Sequence, residues 1–284
     1  MGFHRKKHAI LEDMISALLQ YAKSLFNPEP KYVFVGPPGS GKTVYFMCAI
    51  DRLQRGMIDL HPESFALRAL NSETLKIQDG ALAAMKKGEW PPKTQEPHTL
   101  SFALSRHVGF GKLVRLGTRN YQLHYHDYPG EAFEEAFGDE RAKQPLWEEA
   151  AQTLKQDLQK ADGVFLVIDT PKFHDSSEED YHLQLFRLFD HLDKNERTKR
   201  VAVVFTKSDL FREHPDFCPK SLLRERCPNI WNFLQRVKSE YFFVSAVASP
   251  AVDSKGRITP PKKYDTTQSE RLIDPIVWML DLPS

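Results

Sequence analysis

The chain has 284 residues, 41% hydrophobic and 11% aromatic, enough to bury a large core, and this excludes collagen-like, coiled-coil and disordered classes. Lys and Arg total 39 against 38 Asp and Glu, a formal charge of +1, without the positive surplus that marks a nucleic-acid-coating protein. The sparse, odd set Cys48, Cys218 and Cys227 argues against a disulfide framework and for a reducing cytoplasm, and no apolar run reaches the roughly 18 residues of a membrane-spanning helix.

In chain order, Ile10, Leu11, Met14, Ile15, Leu18 and Leu19 recur at helical spacing, which predicts an N-terminal amphipathic helix over 8–26, within a leading segment 1–30. It is expected to pack on the domain or on a neighbouring chain, as in an oligomer; the basic lead His4-Arg5-Lys6-Lys7-His8 also permits docking on a membrane surface. Tyr32–Val35 reads as a strand, followed by a Gly/Pro-rich turn and a helix through Val44–Leu53. Residues 57–96 are too long for an ordinary connection and read as a helical insertion, with a helix around Ser72–Lys87 and a break at Trp90-Pro91-Pro92.

Thr99–Arg106 and Asn120–Asp127 read as two strands of an antiparallel hairpin, and helical patterns cover much of 131–160 and 176–193. Gly163–Ile168, Val201–Phe205 and Tyr241–Val244 are apolar without alternation, as strands buried on both faces are. A helix over 219–238, a Pro/Lys-rich loop over 247–265 and a helix over 269–280 complete the chain. Alternating strands and helices predict an α/β domain over 31–284. Its sheet is mostly parallel with one antiparallel strand, between helices on both faces in three layers.

Gly36-Pro37-Pro38-Gly39-Ser40-Gly41-Lys42-Thr43 fits the phosphate-loop pattern G-x-x-x-x-G-K-[ST], between a predicted strand and a predicted helix. A nucleoside triphosphate concentrates negative charge, and a protein must replace its hydration with many aligned donors. The nucleotide-binding set here is Gly36, Gly39, Ser40, Gly41, Lys42, Thr43 and Val44. The amides of 39–43 point at phosphates, Lys42 bridges the β and γ oxygens, and Thr43 places its hydroxyl on Mg²⁺. An ordinary glycine-rich turn needs neither Lys nor Thr at this register.

The loop alone also suits an ATPase, so later residues must decide the base. Asp127-Tyr128-Pro129-Gly130 follows a predicted strand and matches D-x-x-G: Asp127 holds the metal's shell and Gly130 offers its amide to the γ-phosphate. Thr206-Lys207-Ser208-Asp209, directly after a buried strand, matches [NT]-K-x-D. The guanine edge presents N1–H and N2–H₂, which a carboxylate such as Asp209 accepts as a pair and adenine does not offer. Lys207 would lie along the base. Ser245-Ala246, at the end of the last strand, resembles the element whose backbone amide meets guanine O6.

On these four elements in this order, the chain resembles the P-loop GTPases of the translation-factor-related (TRAFAC) class, with a Ras-like G domain. The text Asp127-Tyr128-Pro129-Gly130-Glu131, the long segment before the hairpin and the closing helix resemble the bacterial double-GTPase-type proteins within it, associated with conflict or signalling systems. The resemblance implies GTP or GDP with Mg²⁺, a nucleotide-dependent switch, a protein effector or regulator, and hydrolysis by in-line attack of water. It implies a first-switch threonine on the metal, for which Thr94 is the best match and Thr99 the second, so that Thr43, Thr94 and Asp127 form the metal set. Lys42, Thr94 and Glu131 are then the candidate catalytic residues.

Two residues depart from the Ras-like pattern. Glu131 stands where a glutamine orients water; a carboxylate can position water but is repelled by a γ-phosphate, so hydrolysis is expected to be slow without a partner. Pro38 replaces a loop glycine and obstructs a finger arginine approaching in the Ras manner. A nucleotide-binding scaffold with little or no turnover is therefore one alternative. A P-loop ATPase is another, although Phe165–Asp169 ends in Asp169-Thr170 where an ATPase carries Asp-Glu.

Overall fold

The computed structural model describes residues 31–55, 65–94, 96, 98–110, 114–139, 145–175, 177–194, 200–211, 218–246, 251–252, 258–259 and 271–280, with backbone alone at 65–66, 105–124, 126, 251–252 and 258–259. They form β1 (Tyr32–Val35), α1 (Lys42–Gln54), β2 (Phe65–Ala69), α2 (Ser72–Lys86), β3 (His98–Phe110), β4 (Val114–Asp127), α3 (Gly130–Phe137) and α4 (Glu148–Lys160). There follow β5 (Gly163–Asp169), α5 (Thr170–His174), α6 (Glu179–Asp193), β6 (Arg200–Thr206), α7 (Pro219–Arg226), α8 (Pro228–Arg236), β7 (Lys238–Phe243), the short pair β8 (Ala251–Val252) and β9 (Ile258–Thr259), and α9 (Asp274–Met279). The N-terminal helix expected over 8–26 lies outside the described residues.

The apolar runs become a four-stranded parallel sheet in the order β1-β5-β6-β7. Both faces are covered, and side chains divide between them with period two. Phe34, Phe165, Val167, Ala202, Val204 and Phe242 face α1 and α9, while Val33, Val35, Val164, Leu166, Ile168, Val203 and Phe205 face α3, α4, α6 and α8. Every residue of β5 is buried, which is why its sequence carries no alternation. This is the expected three-layer α/β arrangement. The sheet next to it is antiparallel, in the order β2-β3-β4: β3 and β4 are the expected hairpin, and β2 joins it as a strand the sequence did not announce. The edge of Tyr125 in β4 meets Phe34 in β1 with ring centroids 4.7 Å apart, so the two sheets share one core.

Several elements differ from expectation for identifiable reasons. The stretch 57–96 contains the strand β2 as well as α2, and β2 pairs with β3 from Phe65↔Arg106 to Ala69↔Phe102. α2 forms where expected because Asn71 caps it, its Oδ1 accepting the amide of Thr74 at 2.7 Å. The hairpin strands are longer than predicted, with a register shift at Val108/Gly109. The helical patterns over 131–160 resolve into α3 and α4, separated by a stretch that holds Gly138 and Pro145. One helix over 219–238 becomes α7 and α8, because Pro228 has no amide hydrogen and sits at the start of a new helix.

The consequence for function lies at one rim. In register, Asp169 at the end of β5 stands beside Thr206 at the end of β6, and Val35 at the end of β1 stands beside Leu166. The loops leaving β1, β4, β6 and β7 therefore open onto a common edge, where open α/β sheets bind ligands.

Candidate functional site

A cavity of about 360 Å³ occupies that rim. Its wall includes Gly39, Gly41, Lys42, Thr43 and Val44 from the first loop, Asp127 and Gly130 from the second, Thr206, Lys207 and Asp209 from the third, and Ala246 from the fourth. Thr94 lines it too, with Trp90, Pro91, Pro92 and Lys93; Thr99 stands in β3 opposite His126. Four candidate residues do not form the wall: Gly36, Ser40 and Ser245 are buried behind it, and Glu131 sits at its margin.

The first loop folds back on itself. Gly39 and Gly41 hold φ of 73° and 80°, a left-handed backbone that side-chain-bearing residues resist, and this bends the chain into the start of α1. Lys42 Nζ donates to the carbonyls of Gly36 at 2.8 Å and Pro37 at 3.2 Å, crossing its own loop. Burial lowers the Lys42 ammonium to about 8, with the charges of Asp127 and Glu131 pulling the other way. A cation held dry at the end of a helix is poised for an anion that returns the lost solvation. Ser40 Oγ is buried without a hydrogen-bond partner, an orphaned polar atom inside the loop.

Asp127 collects hydroxyls. Its Oδ2 accepts from Thr43 at 3.0 Å and from Thr94 at 2.7 Å, and its Oδ1 accepts from Tyr125 at 2.8 Å. One carboxylate and two threonine hydroxyls converging on one point are hard oxygen donors, the chemistry that suits Mg²⁺ when substrate phosphates complete the shell. Among the described residues no group of three or more His, Cys, Asp or Glu side chains could hold a metal. The residues present thus fit a magnesium ion shared with a ligand, and not a zinc cage; His214, a conceivable zinc ligand beside Cys218 and Cys227, lies outside the described residues.

The third loop braces the first. Thr206 Oγ1 donates to the carbonyl of Ser40 at 2.7 Å, and Lys207, itself at φ 57°, donates from Nζ to the carbonyl of Gly39 at 3.1 Å. The same ammonium meets Asp169 Oδ2 at 2.5 Å; Asp169 is 2% exposed and also caps α5 through the amide of Lys172. Asp209 opens onto the cavity from the turn after β6.

At the margin, Lys93 Nζ pairs with Glu131 Oε1. Burial works to raise the Glu131 carboxyl, but the hydrogen bond and charge of Lys93, a backbone amide and the charge of Lys42 outweigh it and hold the group below its ordinary value. Gly130 lies against Pro38: a Cβ added there would stand 2.7 Å from Pro38 Cβ, so the second loop closes on the first only with glycine at that position. Tyr128 points the other way, its hydroxyl donating to Asp157 Oδ2 at 2.7 Å, while Lys31 pairs with the other oxygen of that aspartate.

Sequence reasoning missed Tyr125, Asp169, Lys93 and Tyr128. Tyr125 was detectable, since residues two apart on a strand share a face and Tyr125 precedes Asp127 by two. Asp169, a carboxylate at the end of a buried strand, reads in the sequence only as a partial ATPase signature. Nothing in the sequence pairs Lys93 with Glu131, 38 residues away.

No helix among the described residues is long and apolar enough to cross a membrane. No curated protein matches the chain. Among solved structures, similarity is found to the signal recognition particle receptor SRb-GTP/SRX complex from Chaetomium thermophilum, with 18% identity, 79% of this chain and 94% of that one covered, and a TM-score of 0.42. It is also found to a variant of Aquifex aeolicus Era bound to GDP.AlF4-, with 15% identity, 90% and 58% covered, and a TM-score of 0.40. A probable GTP-binding protein engB gives 12% identity, 88% and 98% covered, and a TM-score of 0.41. The family model described as Double-GTPase 2 matches residues 33–246, a span that runs from β1 through all four loops of the rim, and the chain belongs to that family.

Proposed function

We propose that the chain binds GTP with Mg²⁺ in this cavity, hydrolyses it to GDP and phosphate, and works as a nucleotide-dependent switch for a protein partner. The observation that carries the reading is the convergence of Thr43, Thr94 and Asp127 beside Lys42, with Asp209 on the same wall. Lys42 and the amides of the first loop bind the β and γ phosphates. Thr43, Thr94 and Asp127 hold the metal, which when bound neutralises phosphate charge and orients the γ-phosphoryl for in-line attack. Asp209 accepts the paired donors of the guanine edge, while Lys207 lies along the base and steadies the phosphate loop. Thr206 and Ala246 complete the base pocket, with Ser245 buried behind them.

Switching follows from where Thr94 and Gly130 sit. Each belongs to a loop that borders the cavity, Thr94 meeting Asp127 and Gly130 lying against Pro38, so a γ-phosphate bound there would give both loops a further contact. Loss of the γ-phosphate removes a reason for both loops to stay closed. Resemblance to the bacterial double-GTPase-type proteins supports a cytoplasmic role in a bacterial conflict or signalling system, with α2, which stands off the cavity wall, and the helix expected over 8–26 as partner surfaces.

One observation favours a second reading, a scaffold that binds nucleotide with little turnover: Glu131, the residue available to place water, is not among the lining residues and is paired with Lys93, which is. Phosphate release from GTP separates the two. The switch reading expects Mg²⁺-dependent release, slow for the purified chain and faster in cell lysate. Absence of release under both conditions, with GTP bound, contradicts the switch reading and leaves the scaffold.

A further inference from the structure

We infer that Tyr125 is a positioning residue for the metal set: its hydroxyl fixes the orientation of the Asp127 carboxylate so that one oxygen stays with Thr43 and Thr94. The inference rests on the reading of this cavity as a Mg²⁺–nucleotide site. Asp127 ends a long hairpin strand, and nothing in the strand ladder determines how its carboxylate turns about its own side-chain bonds. The hydroxyl of Tyr125 does so, donating to Oδ1 at 2.8 Å and leaving Oδ2 to the two threonines.

The tyrosine can act as a fixed post because its ring is packed on more than one side. It is fully buried, stacked on Phe46 with centroids 4.0 Å apart and 16° between planes, and it meets Phe34 edge-on at 4.7 Å. Phe46 and Thr43 lie three residues apart on α1, so they share a face of one helix. That helix therefore seats the ring that holds one carboxylate oxygen and supplies the hydroxyl that meets the other. Tyr125 in this way ties the distance between Thr43 and Asp127 to the packing of β1, α1 and β4. A phenylalanine would fill the same core space, so the hydroxyl serves the carboxylate and not the packing.

The test is the Mg²⁺ dependence of mant-GDP release from the full chain, for wild type and Tyr125→Phe. Supporting partners of a metal ligand typically change metal affinity by about 10- to 100-fold. The Mg²⁺ concentration that half-protects against release is therefore expected to rise about tenfold in Tyr125→Phe, with release in excess EDTA unchanged within twofold. Phe46→Leu, which loosens the ring's seat and keeps the hydroxyl, is the second variant and is expected to raise the requirement about threefold; it serves if Tyr125→Phe does not fold. A wild-type Mg²⁺ curve in the folded variants overturns the inference while the site reading stands. Mg²⁺-independent release from the wild type removes the site reading and the inference together.

Discussion

Thr94 reaches Asp127 across 33 residues of sequence, its hydroxyl 2.7 Å from the carboxylate oxygen that also accepts from Thr43. The two threonines come from different kinds of element: Thr43 is locked in the first turn of α1, while Thr94 lies in the non-helical run Trp90–Thr94. Their substitutions should therefore differ. Thr43→Ala is expected to weaken GDP and GTP about tenfold each in the presence of Mg²⁺, roughly 1.4 kcal/mol. Thr94→Ala is expected to weaken a non-hydrolysable GTP analogue by a similar factor and to leave GDP within twofold. Fluorescence titration of both mant-nucleotides checks the split; equal losses in Thr94→Ala would show that it does not sense the γ-phosphate.

The Lys93–Glu131 pair is accessible, with side-chain exposures of 69% and 30%, and exposed pairs contribute only about 0–1 kcal/mol. Separating them therefore costs little beside the placement of a triphosphate. If Glu131 places the attacking water once released, Glu131→Ala should slow single-turnover GTP hydrolysis by about 10²-fold, the low end of acid–base contributions, with GTP affinity unchanged. Hydrolysis at the wild-type rate would remove Glu131 from the mechanism.

Lys207 carries two duties, holding the first loop through Gly39 and compensating the buried carboxylate of Asp169. Breaking a fully buried pair costs about 3–5 kcal/mol, and the 30% exposure of the Lys207 side chain lets water recover part of this. Lys207→Met is thus expected to lose about 2 kcal/mol in urea unfolding and to weaken GTP and GDP alike. Removing both charges with Asp169→Asn/Lys207→Met should restore part of the stability and none of the affinity. Additive losses in the double variant would contradict the pairing.

Cysteine chemistry offers a check on burial that does not involve the cavity. Cys218 is exposed and hydrogen bonding from Ser221 holds its thiol below the ordinary value, whereas burial pushes the Cys227 thiol up to about 11. Iodoacetamide at pH 8 is expected to modify Cys218 first and to leave the buried Cys48 and Cys227 largely unmodified in the folded chain, read by mass spectrometry. The unfolded Cys227 thiol loses its proton near 9.0 and the folded one near 11. Over that window the native state binds more protons, so this contribution to stability is full below pH 9 and is lost as pH rises to 11.

Much of this architecture was legible because burial on both faces writes itself into sequence: Val164, Phe165, Leu166, Val167 and Ile168 could only be an inner strand. The phosphate loop was equally legible, since Lys42 and Thr43 at that register serve no ordinary turn. The strand β2 was not, because Phe-Ala-Leu-Arg-Ala has no strong strand bias and its identity comes from pairing with β3. Nor were the links that join loops to one another, such as Lys93 with Glu131, Lys207 with Asp169 and Gly130 against Pro38. Those depend on distances that exist only once the sheet has formed.

The proposed specificity for guanine rests on Asp209, so the most direct measurement is displacement of mant-GDP by unlabelled nucleotides from wild type and Asp209→Asn. The wild type should release the probe to GTP and GDP at concentrations at least 10²-fold below those of ATP. Asp209→Asn should lose guanine affinity and gain xanthine nucleotides, because the amide now offers a donor to the xanthine carbonyl. Displacement by ATP as readily as by GTP, or undiminished guanine affinity in Asp209→Asn, would contradict the account.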